Sequence, residues 1–447
     1  MSGPWSGRRL HLVGVGGAGM SAYARAAHAL GADISGSDGS TGPYLERLAA
    51  DGILDAAIGH RAENIPPGSE IEIFYSSAVG AENVERLAAR ERGLPERPRA
   101  QLLGELSAIR RTIAVAGTHG KTTTASMIAH ALLAAGMRPG WLVGAPIGGG
   151  LANAQWGEGE WLVVEADESD RSMLSLSVEI ALLTNVELDH HTAFSSLAEL
   201  EEAFRAFLAL ARTAVVVWDR PQLRALVPVG GGIELVGYDA RDPLLVAGGS
   251  RFDWRGHEVT LSVPGSHNAL NATGALEAVR IAGANATQAI VGLVGFSGAG
   301  RRFQELGESP SGARLFEDYA HHPTEIAATL RAARTLPHRC LVAVFQPHLY
   351  SRTALLAREF GHALALADVV VVLDVYPARE RAEDHPGVTG LLIARASADA
   401  GGGRPVYWAP AFADAERVLL GVLEQDDVCV VMGAGDVDAL GRALVAS

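Results

Sequence analysis

One lysine stands among the 37 lysines and arginines of this 447-residue chain, in the run Ala116-Gly117-Thr118-His119-Gly120-Lys121-Thr122-Thr123-Thr124. Glycines at 117 and 120 let backbone N–H groups curl around phosphate oxygens, and a helix starting at Lys121 points its positive end at the same anion. A compact ammonium at Lys121 reaches between β- and γ-phosphates, and the Thr122 hydroxyl suits a Mg²⁺ ion. The run departs from the common G-x-x-x-x-G-K-[ST] form, because Val115 stands where its first glycine belongs. The chemistry predicted is that of a nucleoside triphosphate.

Further polar groups gather where apolar runs end. Glu165, Asp167 and Glu168 follow the run Trp161 to Val164, a usual place for a Mg²⁺ ligand beside a phosphate loop. Asn185 to His191 follows Ile180 to Leu183, and there His190 or His191 could bind a metal, orient a substrate or lie on the surface. Gly14-Val15-Gly16-Gly17-Ala18-Gly19 fits G-x-G-x-x-G after a strand, with Asp38 at the distance of a ribose-binding acid. Alone, that loop says that the diphosphate of some nucleotide binds, with NAD(P) as the plain reading. Asn268 and Asn271 lie one helical turn apart and could read a base or cap a helix. Arg302, in Gly300-Arg301-Arg302-Phe303-Gln304, suits a bidentate phosphate contact. Two histidine-bearing segments, Phe316 to Glu325 and Phe345 to Thr353, suggest one rim of a site.

The elements that must position these groups alternate short apolar strands with amphipathic helices, which signals parallel α/β sheets. Three blocks are expected, at residues 1–107, 108–311 and 312–447, with the charged, proline-bearing stretch Arg90 to Arg99 as a connector. A net charge of -14 without a Lys/Arg block argues against a nucleic-acid surface. No apolar stretch reaches membrane-spanning length and no leader pattern opens the chain, so a cytoplasmic protein is expected. Cys340 and Cys429 read as buried free thiols.

Taken together, the segments HLVGVGGAGMS, GSD (Gly36 to Asp38), YSSA, AGTHGKTTT, EADESD, TNVELDH, GSHNALNA, GRRFQ, EDYAHHPTEI, FQPHLYSRT and DVYPARE resemble the Mur ligase family of peptidoglycan synthesis, in order and over nearly the whole chain. The resemblance implies three domains: a Rossmann-like UDP-sugar domain, a central ATPase-type α/β domain and a C-terminal Rossmann-like domain. It implies an ATP-dependent ligase that joins L-alanine to the lactyl carboxylate of UDP-N-acetylmuramate through an acyl phosphate. The rivals are a ligase that adds a recycled murein peptide to the same sugar and, from another class, an NAD(P)-dependent oxidoreductase. Carried over residue by residue, Gly14, Gly16, Gly17, Gly19, Asp38, Ser76 and Ser77 would hold the UDP-sugar. Gly117, Thr118, His119, Gly120, Lys121, Thr122 and Thr123 would hold the ATP phosphates. Asn268 and Asn271 would face adenine, Arg302 a phosphate and Asp318 the ribose. Thr122 and Glu165 would bind one Mg²⁺ and His190 a second. His321, His322, His348 and Arg352 would line the amino acid and the acyl phosphate, and Lys121, Glu165, His190, His348 and Arg352 would carry the catalysis. Leu349 stands where many relatives carry an arginine, and no second lysine exists to be carbamylated. A monomer or weak homodimer is expected.

Overall fold

A computed structural model of the chain describes residues 3–189, 194–228, 230 and 232–446. It forms two compact units, one of Met1–Asp239 with Asn271–Leu293, the other of Ala240–Leu270 with Val294–Ser447.

The first unit carries two sheets. Strands β1 (Arg9–Val13), β2 (Asp33–Asp38), β3 (Ala57–Ile58), β4 (Ile71–Tyr75) and β5 (Glu96–Pro98) lie in the order β3-β2-β1-β4-β5, and every pairing is parallel. Helices α1 (Ala18–Ala29), α2 (Pro43–Ala50), α3 (Val84–Glu91) and α4 (Arg99–Ala108) connect and follow them. The second sheet holds β6 (Arg111–Ala116), β7 (Gly140–Leu142), β8 (Ala154–Gln155), β9 (Trp161–Glu165), β10 (Ile180–Leu183), β11 (Ala214–Trp218) and β12 (Glu234–Tyr238). Its order is β12-β11-β10-β6-β9-β7-β8, parallel except for the β7–β8 edge. Helix α5 (Lys121–Ala134) leaves β6, which is flanked by β10 and β9. The loop that carries Gly117 to Gly120 therefore leaves an interior strand at its carboxyl end, where open parallel sheets bind ligands.

The second unit has a three-stranded antiparallel sheet, β13 (Leu244–Val246), β14 (Gly249–Trp254) and β15 (His257–Leu261). Its larger sheet contains β16 (Gln304–Glu308), β17 (Arg314–Asp318), β18 (Leu341–Phe345), β19 (Val369–Val372), β20 (Val406–Trp408) and β21 (Val428–Met432), in the order β16-β17-β21-β18-β19-β20. Strand side chains alternate between faces. Leu341, Ala343 and Phe345 thus enter one core while Val342 and Val344 enter the other. Both faces are buried, which is why β18 and β21 read as unbroken apolar runs and why Cys429 is a buried thiol. Among the described residues, no helix is long and apolar enough to cross a membrane.

Candidate active site

The loop between β6 and α5 is shaped by two glycines that no other residue could replace without strain. Gly117 has φ +132°, and a Cβ there would fall 2.0 Å from Thr184 Oγ1. Gly120 caps α5 at φ +81°, and a Cβ there would fall 2.8 Å from Asn271 Oδ1. The segment after β10 braces the loop. Thr118 Oγ1 donates to the Glu187 carbonyl (2.9 Å), the His119 N–H donates to Asn185 Oδ1 (2.9 Å), and Thr184 Oγ1 donates to the His119 carbonyl (2.6 Å). Thr123 is buried in the first turn of α5, beside Thr122. Asn271 is brought to this loop. Asn268 donates from Nδ2 to the Pro264 carbonyl at 2.7 Å.

Three carboxylates at and just beyond the end of β9 take three different partners. Lys121 Nζ donates to the Gly117 carbonyl (2.6 Å), the Thr118 carbonyl (3.1 Å) and Glu168 (3.0 Å). Burial opposes its charge, but Glu168, Asp167 and Glu165 outweigh burial and hold the ammonium above its ordinary range. Glu168 has almost no exposed surface. Burial, only partly offset by Lys121, pushes its carboxyl up to about 7. Glu165 accepts from Thr122 Oγ1 at 2.9 Å and from the Gly144 N–H at 2.7 Å. Asp167 binds Arg99 Nη2 at 3.1 Å, and Asp170 binds Arg99 Nε at 2.7 Å. Against the cost of burial, Arg99 and Lys121 hold Asp167 below the usual carboxylate range. Arg99 opens α4 from within the stretch that the sequence presented as a connector. No spacing rule exposes it, because its partners lie 68 and 71 residues away.

The Thr122 hydroxyl and the Glu165 carboxylate meet at the mouth of the phosphate loop. They are hard oxygen donors of the kind Mg²⁺ takes, so these residues fit the ion. His190, the candidate second metal ligand and catalytic group, lies outside the described residues.

The glycine loop after β1 is pinned by the acid expected to read a ribose. Gly14, at φ +82°, donates its N–H to the Ser37 carbonyl (2.8 Å), and the Gly16 N–H donates to Asp38 Oδ2 (2.8 Å). A Cβ on Gly16 would fall 2.8 Å from that same oxygen, whereas one on Gly17 would meet only the Gly14 carbonyl, at 3.9 Å. Asp38 thus serves the loop as well as any ligand. Gly19 lies in the first turn of α1, where a Cβ would fall 2.7 Å from Arg99 Nη1. Ser76 follows β4 directly, and a Cβ on Gly14 would fall 2.9 Å from its Cβ; Ser77 is exposed on the same turn.

In the second unit, Asp318 ends β17 and accepts the Phe303 N–H (2.8 Å) and the Ala320 N–H (2.7 Å). Burial pushes its carboxyl up to about 6. The Arg301 and Arg302 guanidinium groups each lie 4.9 Å from the Tyr319 ring centre. Arg301 also donates to the carbonyls of Gly433 (2.9 Å) and Gly435 (3.1 Å). This Gly433-Ala434-Gly435-Asp436 turn after β21 escaped the sequence reading, although a glycine pair after a buried strand is the signal used for the two nucleotide loops. His321 and His348 come together with ring centres 6.1 Å apart, and His348 Nδ1 lies 3.4 Å from Arg352 Nη1. His348 also stacks on Tyr376 at 5.8 Å. His322 caps the helix Pro323–Ala333, in a capping box closed by Glu325. Leu349 is buried at φ +72° at the start of the helix Tyr350–Leu364.

Residues 9–111 match the catalytic domain of the Mur ligase family, 115–279 the Mur ligase middle domain, and 301–435 the Mur ligase glutamate ligase domain. A UDP-N-acetylmuramate–L-alanine ligase of Rubrobacter xylanophilus is 41% identical, over 98% of this chain and 99% of its own. One of Nocardia farcinica is 40% identical, over 98% and 94%. The crystal structure of the UDP-N-acetylmuramate–alanine ligase of Thermotoga maritima is similar with a TM-score of 0.83, at 27% identity and 98% coverage of both chains. A murein peptide ligase of Psychrobacter arcticus, 23% identical, shares the fold with a TM-score of 0.73 over 98% of both chains.

Proposed function

The chain belongs to the Mur ligase family, and we propose that it is an ATP-dependent UDP-N-acetylmuramate–L-alanine ligase. The observation that carries the reading is the match along 98% of the chain to relatives named for that reaction. The geometry around Lys121 supports it. The NAD(P) reading of Gly14 to Gly19 gives way, since that loop belongs to a ligase family and no hydride chemistry accompanies it.

A carboxylate does not react with an amine at neutral pH until it gains a leaving group. The lactyl carboxylate attacks the γ-phosphorus of ATP; the bond to ADP breaks and an acyl phosphate forms. The amine of L-alanine then attacks the acyl carbon, and phosphate leaves with the electron pair. In the first step two anions must meet, and their repulsion at about 4 Å costs several kcal/mol at an effective dielectric near 20. Lys121 offsets this when its ammonium turns from Glu168 to the phosphates, and the backbone N–H groups of Gly117 to Thr123 hold those phosphates in line. Thr122 and Glu165 would hold a Mg²⁺ ion, which would supply further neutralisation of the transferring group. Asn268, Asn271, Arg302 and Asp318 hold the rest of the nucleotide. Gly14, Gly16, Gly17, Gly19, Asp38, Ser76 and Ser77 hold the UDP-sugar. Arg352 takes the alanine carboxylate, and His321, His322 and His348 line the acyl phosphate, with one histidine accepting the amine proton.

The test is phosphate release by the full chain with UDP-N-acetylmuramate, ATP and Mg²⁺. Release should require L-alanine and should vanish in Lys121→Ala with UDP-sugar binding intact. Alanine-independent turnover counts against the reaction, and an active Lys121→Ala against the phosphate loop.

A further inference from the structure

Behind the glycine loop the N-terminal sheet buries a polar cluster that the reaction above does not use. Glu85, on α3, has no exposed side-chain surface. One of its oxygens faces His11 Nε2 (2.8 Å) and Ser37 Oγ (2.8 Å). The other faces Asn64 Nδ2 (2.9 Å), His60 Nδ1 (3.1 Å) and the Arg61 N–H (3.3 Å). Burial alone would push this carboxyl up, but donation from His11, Asn64, Ser37 and His60 brings it down to about 2. The group is therefore an anion inside the domain.

An ionised carboxylate only accepts hydrogen bonds, so the ring nitrogen that faces it carries the proton. Ser37 gives its hydroxyl proton to Glu85 and so accepts from the same His60 Nδ1–H, 3.2 Å away. In the neutral imidazole this leaves Nε2 with a lone pair. Among the described residues, nothing donates to it. His60 follows β3, and its side chain is 24% exposed. Its Nε2 lies beside Gly39, 3.9 Å from where a Cβ on that residue would stand. Gly39 adjoins Asp38, at the end of β2 that faces the glycine loop.

We propose that His60 is a specificity residue for the sugar nucleotide: its Nε2 accepts a hydrogen bond from a donor on the uridine, the base N3–H or a ribose hydroxyl, with tautomer and orientation fixed by Glu85. The inference rests on the sugar nucleotide binding at the N-terminal glycine loop. A fixed acceptor there rewards a ligand that brings a proton and penalises one that brings a second lone pair, as a cytosine N3 does.

Calorimetry on the full chain tests this with UDP-N-acetylmuramate, its 3-methyluridine analogue and its 2′- and 3′-deoxy analogues, on the wild type and on His60→Phe. His60→Phe should weaken the natural ligand about tenfold, as should removal of the matching ligand donor from the wild type. That analogue should lose nothing further on His60→Phe, and which analogue it is names the donor, base or ribose. Equal analogue penalties on both proteins overturn the proposal. No binding of the natural ligand by the wild type instead overturns the placement of the sugar nucleotide. Should His60→Phe fail to fold, the ¹⁵N-histidine spectrum of the wild type decides. In the neutral ring His60 Nε2 should be the unprotonated nitrogen and move on ligand binding; a neutral ring protonated at Nε2 overturns the assignment.

Discussion

Lys121 and Glu168 form a buried pair whose two members pull in opposite directions. The ammonium is secured by three acceptors, while the carboxylate sits so far from water that its pKa rises to about 7 from an ordinary 4.5. Between those values the folded protein binds a proton that the unfolded chain has released. Stability from this group is therefore full below about pH 4.5 and lost as pH rises through 7. The whole effect is on the order of 3 kcal/mol at 1.36 kcal/mol per pKa unit. Glu168→Gln cannot titrate, so from pH 5 to 7.5 the wild type should lose thermal stability relative to this variant. A melting-temperature difference that stays constant over that range contradicts the burial argument. The same soft grip explains how Lys121 can serve ATP. Glu168 is a poor anion near neutrality, and on the proposed reading phosphates with full charge would displace it. The ammonium and its loop were legible in the sequence from one residue type in one pattern; its resting partner was not, because 47 residues separate them.

Glycines set the loop that presents Lys121, and this sets the cost of changing them. In Gly117→Ala the new methyl would overlap Thr184 Oγ1 in a backbone region that disfavours side chains. ATP affinity should fall more than tenfold in a calorimetric titration while UDP-sugar affinity holds; unchanged ATP binding would show that the loop tolerates the methyl. The helix Pro323–Ala333 offers a second test, because His322 both caps it and is proposed to line the acyl phosphate. Asparagine caps well and alanine poorly, a difference of about 1 kcal/mol. His322→Asn should melt like the wild type and turn over more slowly, whereas His322→Ala should lose both; full activity in His322→Asn confines the residue to capping. Strands such as Ile71–Tyr75 and Leu341–Phe345 were legible to the residue because they are apolar runs bounded by turn formers. The short strands β3, β5, β7 and β8 were not. Each has two or three residues, too few for any alternation, and β5 contains a proline inside the stretch Arg90 to Arg99.

At the scale of the whole molecule, the question is which amine the ligase accepts. The order of motifs along the chain made the family legible, but the amine-bearing substrate depends on side chains of the Gln346 to Thr353 loop that sequence alone could not orient. Free L-alanine carries its carboxylate on the carbon next to the attacking amine. In a tripeptide that begins with alanine, this carboxylate has become an amide. A cation that reads the α-carboxylate therefore separates the two substrates by a charge-assisted hydrogen bond, a stronger contact than a neutral one. Arg352, buried in the first turn of the helix Tyr350–Leu364, is the arginine of that segment. In competition assays L-alanine should be joined to UDP-N-acetylmuramate in preference to the tripeptide. Arg352→Met should raise the KM for L-alanine tenfold or more and leave the KM for ATP near its wild-type value. Preferential use of the tripeptide by the wild type would shift the assignment to the recycling reaction. An unchanged alanine KM in Arg352→Met would move carboxylate recognition to another part of the molecule.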